Sequence, residues 1–199
     1  MAQNSFFVNY HGLNKLVEVS ILEASYLVIN GKTNINKFHC YYHQLSTKPL
    51  LVVLDQLANS ISVKNAELIL QTHQFDCNNQ MMNKDFQQLL QSEEYPHIEI
   101  KILSLNQPSH SDRKVSSHLK DESFTIWVQA LFRIVGNEHQ YSFPVKVIDN
   151  SDDALNLQGS VDLNLRDFDI TPPKKLLGLV EVQELITIDF FAKLRVVQP

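Results

Sequence analysis

Apolar and polar residues alternate with a period of two along most of this chain. The clearest case runs from Ala154 to Leu165. Leu155, Leu157, Val161, Leu163 and Leu165 share one face with Gly159, while Asn156, Gln158, Ser160, Asp162 and Asn164 share the other. Successive side chains of a strand point to opposite faces, so such a segment has one buried and one wet side. Phe124 to Ile134 follows the same rule, with Phe124, Ile126, Val128, Ala130, Phe132 and Ile134 on its apolar face. Gly136-Asn137 reads as part of a turn, and Tyr141, Phe143, Val145 and Val147 continue the pattern on a hairpin partner. Near the C-terminus Ile186, Ile188, Phe190, Ala192 and Leu194 alternate with Thr187, Asp189, Phe191 and Lys193. Ile98, Ile100 and Ile102 mark another strand. Further strands are predicted at Leu16 to Ile21, Ser25 to Ile29, Phe38 to His43 and Ala66 to Thr72, with a short buried one at Leu50 to Leu54.

One segment, Asn83 to Gln91, reads as helix. Asn83 caps it, Phe86, Leu89 and Leu90 fall at helical spacing, and Pro96 bars extension beyond Tyr95. A second short helical turn is predicted around Pro172 to Leu177. Asn106 to Glu122 has no period and reads as an exposed connection longer than a normal hairpin loop. Roughly eight one-sided strands with one helix argue an antiparallel barrel or sandwich. Long strands joined by hairpins suit an up-and-down barrel better than a Greek key. No internal repeat and no boundary divides the chain, so residues 1–199 are read as a single domain with its core at about 16–195.

Composition narrows the function. The 199 residues carry a net charge of -5, and their basic pairs (Arg113-Lys114, Lys174-Lys175) are isolated. A nucleic-acid partner calls for the opposite balance or a basic stripe. With 5 glycines the chain has no Gly-rich phosphate loop. Its longest apolar run, Leu50 to Leu54, is far below the ~20 residues of a membrane-spanning helix. No GxSxG elbow, HExxH or CxxC occurs. His39 and His43 share one strand face but lack a third ligand, and surface histidines are the simpler reading. The expectation is therefore a non-enzyme with no catalytic residue, no metal and no cofactor.

Four stretches then fall into a familiar order. Thr33-Asn34-Ile35-Asn36-Lys37-Phe38-His39-Cys40 resembles an early S/T-N-V-N-x-F-x-C segment. Met82-Asn83-Lys84-Asp85-Phe86, followed by Tyr95-Pro96-His97-Ile98, resembles a helix leading into a strand. Phe132-Arg133-Ile134-Val135-Gly136-Asn137 resembles an L-x-I-x-G hairpin turn. Leu165 to Pro173, with Leu177-Gly178-Leu179-Val180, resembles the segment before a last strand. Together they resemble the YceI-like family of lipocalin-like, polyisoprenoid-binding barrel proteins, over most of the chain. Two departures stand out: the opening H-S-x-I-x-F is missing, and Asp169 stands where many members have Gly.

The resemblance implies an eight-stranded antiparallel lipocalin-like barrel whose apolar interior holds an isoprenoid-type lipid such as a polyprenyl chain or a quinone. Candidate lining residues are Phe124, Ile126, Val128 and Phe132 on one strand, Phe143 and Val145 on its partner, Leu157 and Val161 on the next, and Ile186, Ile188 and Phe190 near the C-terminus. These faces either line a pocket or pack against one another in a filled barrel. The latter makes the protein a scaffold without ligand, with outward Trp127, Leu131 and Phe191 available to a homodimer face. Phe86, Leu89 and Leu90 form a lid over the barrel or a helix packed permanently on it. Arg133 and Arg166 are either pyrophosphate contacts or surface charges. A Cys40–Cys77 disulfide suits a periplasmic or secreted protein, and two buried thiols suit a reducing cytoplasm. The chain shows no signal peptide, and Met1-Ala2-Gln3 reads as a start placed on a trimmed mature protein.

Overall fold

The computed structural model of the chain describes residues 15–43, 45, 49–57, 60–106, 123–150, 154–172, 174–175 and 180–197. Its strands are β1 (Lys15–Ile21), β2 (Tyr26–Lys32), β3 (Lys37–Tyr42), β4 (Leu50–Leu57), β5 (Ser60–Lys64), β6 (Glu67–Gln71), β7 (His97–Asn106), β8 (Ser123–Ile134), β9 (Asn137–Asn150), β10 (Ala154–Asn164), β11 (Lys174–Lys175), β12 (Val180–Glu181) and β13 (Leu185–Val197). The helix α1 spans Gln80–Leu89, and short 3-10 turns cover Thr72–Gln74 and Leu165–Phe168.

The strands β1-β4-β5-β7-β8-β9-β10-β13 pair in that order, and β13 pairs back with β1. The result is a closed eight-stranded antiparallel barrel with one helix. Closure removes the exposed sheet edges that long alternating strands otherwise present. The register of β8, β9, β10 and β13 follows the sequence alternation, so the faces predicted to be apolar all point inward. The β8–β9 hairpin turns on Val135 and Gly136, both with positive φ (49° and 75°), as a two-residue turn matched to strand twist demands.

Two strands are broken at mid-height. β1 and β2 follow one another along β13, and β5 and β6 follow one another along β7. At the first break Ala24 adopts φ 72°, and the buried Ser25 hydroxyl donates to the Leu22 carbonyl (2.7 Å) and accepts from the Lys193 amide (3.0 Å). The side chain thus replaces the acceptor that a continuous strand supplies. Ser25→Ala is expected to lower stability by about 1–3 kcal/mol, because the Lys193 N–H is left without its acceptor. Urea denaturation checks this, and a loss within error contradicts the assignment.

Below the breaks β2, β3 and β6 take the place of β1, β4 and β5 in the wall, and no ladder joins β3 to β6. That seam is closed by the Cys40–Cys77 disulfide, by an isolated bridge between Tyr41 and Asp76, and by the Tyr42 hydroxyl. The hydroxyl donates to Gln74 (2.7 Å) and accepts from the Gln71 amide (3.3 Å). The helix α1 seals the adjacent barrel end. Phe86 packs on Phe75 (ring centroids 5.1 Å), which packs on Tyr42 (4.9 Å).

Some expectations need correction. The helix begins at Gln80 rather than Asn83, because Asn79 is the cap: its side chain accepts from the amides of Met81 and Met82. Asn83 instead accepts from the Cys77 amide (2.7 Å) and donates to Asp76, bracing the disulfide turn. The helical turn expected around Pro172 to Leu177 is not formed by Lys174–Lys175, which pair with Val180–Glu181 as strands. The turn lies earlier, at Leu165–Phe168, with Asp169 at φ 57° ending it. β5 was hidden in a short polar-rich stretch. The connection predicted over Asn106 to Glu122 lies, after Asn106, outside the described residues.

Candidate functional site

The barrel encloses an apolar cavity of about 280 Å³. Every barrel strand contributes to its wall: Val17, Val19 and Ile21 from β1, Val52 and Leu54 from β4, Val63 from β5, Ile102 and Leu105 from β7, and the inward faces of β8, β9, β10 and β13. Glu67, exposed at the start of β6, is the only charged residue among the described residues of its lining. Inward-facing Leu157, Phe190, Ala192, Leu194 and Val196 are only partly buried and border this space. The Phe190 ring lies over Gly159, where an added Cβ would sit 2.4 Å from its Cζ, and packs edge-on against Phe143 (6.1 Å). A side chain at residue 159 would push that ring into the cavity.

Beside α1 lies a second, small cavity of about 40 Å³, lined by Phe86, Leu89 and Leu90 of the helical segment together with Phe75, Ile134, Leu165 and Ile186. The helix end is therefore nearly filled, and the open volume lies in the other half of the barrel.

Compared with protein-family models and with curated proteins, the sequence matches none. Solved structures do match. BcnA of Burkholderia cenocepacia has a TM-score of 0.63 at 16% identity, over 85% of this chain and 95% of its own. A polyisoprenoid binding domain from Saccharophagus degradans, implicated in plant cell wall breakdown, has a TM-score of 0.60 at 11% identity, over 94% of this chain and 100% of its own. The YCEI protein of Campylobacter jejuni has a TM-score of 0.48 at 13% identity, over 81% and 84%. The fold is YceI-like.

In this YceI-like barrel, Ile126, Val128, Phe132, Phe143, Val145, Leu157, Val161, Ile188 and Phe190 stand on the wall of the main cavity. Ile186 lies one layer lower, on the small cavity. Phe124 lines neither and packs against the core near the far rim of β8. The contributions of β1, β4 and β5 were absent from the predicted lining, although Val17, Val19 and Ile21 already alternate in the sequence. Leu105 was masked by a bulge at Leu103, which shifts the register between Ile102 and Ser104 and turns Leu105 inward.

The polar candidates sit elsewhere on the YceI-like barrel. Arg133 pairs with Glu99 (2.9 Å) and Glu138, and Arg166 pairs with Glu184, all on the outside near the helix end. The Arg166 guanidinium holds the Glu184 carboxyl below the usual carboxylate range. His39 bonds to Asn30 (2.6 Å), which donates to Asp189 (2.7 Å), and His43 stacks on Tyr41. No cluster of metal-ligating side chains is found among the described residues. Trp127 is exposed, Leu131 is half-buried, and Phe191 stacks on Tyr26 (5.9 Å).

One titratable group outside the cavity is strongly shifted. Burial, followed by its hydrogen bond to Asp167, pushes the Tyr141 phenol up to about 12. The phenol also accepts from the Asn164 amide (3.2 Å) and packs on His139 and Phe168, fixing the 3-10 turn to β9. A raised phenol holds its proton more tightly folded than unfolded. Its stabilisation is complete below pH ~10 and is lost as pH rises toward about 12. Tyr141→Phe is expected to flatten the fall in urea midpoint between pH 9 and 11.5. Equal slopes in the two proteins would contradict this.

Proposed function

We propose that this protein binds one apolar lipid chain of isoprenoid type, a polyprenyl chain or a quinone tail, within its barrel, without catalysing a reaction on it. The observation that carries the reading is the cavity of about 280 Å³ with an apolar wall and inward side chains left partly uncovered. Ligand pockets for apolar guests begin at roughly this size. Each 100 Å² of chain surface withdrawn from water contributes about 2.5 kcal/mol, so affinity needs no charged contact inside. Such an interior favours a guest-binding barrel over a filled scaffold. The fold likeness to a structure named as a polyisoprenoid binding domain supports the same class of guest. The Cys40–Cys77 bond supports work in an oxidising compartment, the periplasm or the exterior.

The test is native mass spectrometry of protein gently purified from a membrane-containing source, followed by titration with quinones and polyprenyl phosphates. A lipid-sized adduct and saturable binding are expected. Protein that carries no adduct and binds neither class defeats the reading.

A further inference from the structure

The two cavities of the barrel share a partition. Leu27 of β2, Ile100 of β7 and Ile188 of β13 line both the large cavity and the small one beside α1. All three are buried, and they come from separate parts of the wall. Each is held on a paired strand: Leu27 lies opposite Tyr42 and Phe190, Ile100 opposite Leu68 and Phe132, and Ile188 opposite Val161 and Ile29. A guest chain descending from the far end meets these side chains as a floor, and passing it requires displacing core residues whose backbones are fixed.

We infer that this floor makes the protein a length-selective binder: the site takes an apolar segment of about eleven carbons, roughly two isoprene units, and leaves the rest of any longer chain outside the barrel. The inference rests on the proposed lipid-binding function and deepens it. The scale comes from a dry protein cavity of ~150 Å³ that accepts benzene, or about 25 Å³ per carbon. At that scale the 280 Å³ of the main cavity holds about eleven carbons. The 40 Å³ beyond the floor adds about two more, but only when the floor is opened.

The experiment is displacement of 1-anilinonaphthalene-8-sulfonate by linear alcohols from hexanol to hexadecanol. In the native protein Kd is expected to fall about fourfold per added methylene up to about undecanol, and then to level off. In Leu27→Ala the break moves outward by two or more carbons. Ile188→Val, a gentler opening, moves it in the same direction should the alanine variant fail to fold. An affinity that keeps rising fourfold per methylene through hexadecanol in the native protein overturns the floor and leaves lipid binding standing. A break that stays in place in a folded variant also overturns it. Failure of every alcohol to displace the probe sinks the binding reading itself, and the floor with it.

Discussion

Replacing Cys40 and Cys77 together by serine is expected to lower the free energy of unfolding by about 4 kcal/mol, the chain-entropy value for a bond that closes a loop with a sequence separation of 37. For a chain of 199 residues that corresponds to a fall in Tm of about 10 °C. The position of the bond makes the effect local as well as global. The β3–β6 seam has no strand ladder, and the disulfide acts there with one isolated bridge and the Tyr42 hydroxyl. Without it, hydrogen exchange is expected to accelerate first at Tyr41 and Asp76, whose amides bond to each other's carbonyls (2.8 and 2.9 Å), and only later in the β8–β9 ladder. Urea denaturation of the oxidised protein, the reduced protein and the double variant measures the first effect, and exchange mass spectrometry the second. A stability loss below about 1 kcal/mol, or uniform exchange across the barrel, would show that the seam does not depend on this bond.

The parts of the fold legible in the sequence are those where one physical rule acts alone. β8, β9, β10 and β13 are long and regular, and each has one face against the interior, so period-two alternation gives both their existence and their orientation. Legibility fails where backbone geometry intervenes. The Leu103 bulge inverts the parity of β7, and Asn65, at φ 63°, splits β5 from β6. A short segment such as Ser60–Lys64, with only Ile61 and Val63 facing inward, then gives too few positions for a period to register. The helix start was misplaced because several asparagines lie close together, and the chain uses Asn79 as cap and Asn83 as brace. Asp169 adopts the left-handed conformation itself, which Asp tolerates better than most side chains. The cavity was not legible at all. Alternation reports which side chains face inward, while the space left between them depends on barrel radius and on the sum of side-chain volumes around eight strands.

That distinction leads to the second large effect. Ala192→Phe is expected to weaken binding of an apolar guest at least a hundredfold while leaving stability unchanged or slightly raised. Ala192 faces inward from β13 opposite Leu157, and both residues are only partly buried and border the cavity. The phenyl ring added there occupies the space of roughly six guest carbons. At about fourfold per methylene, losing even four of them costs a factor above one hundred. The sign of the stability change separates a hollow barrel from a filled one. In a filled barrel the added ring has nowhere to go and overpacking costs about 1–3 kcal/mol. In a hollow one the ring moves from water onto Leu157 and its neighbours, and its burial stabilises the fold. Urea denaturation and dodecanol displacement on the same sample read both quantities. A variant that is destabilised yet binds as before would place the guest outside the barrel, for then the space that Ala192 borders has no part in holding it.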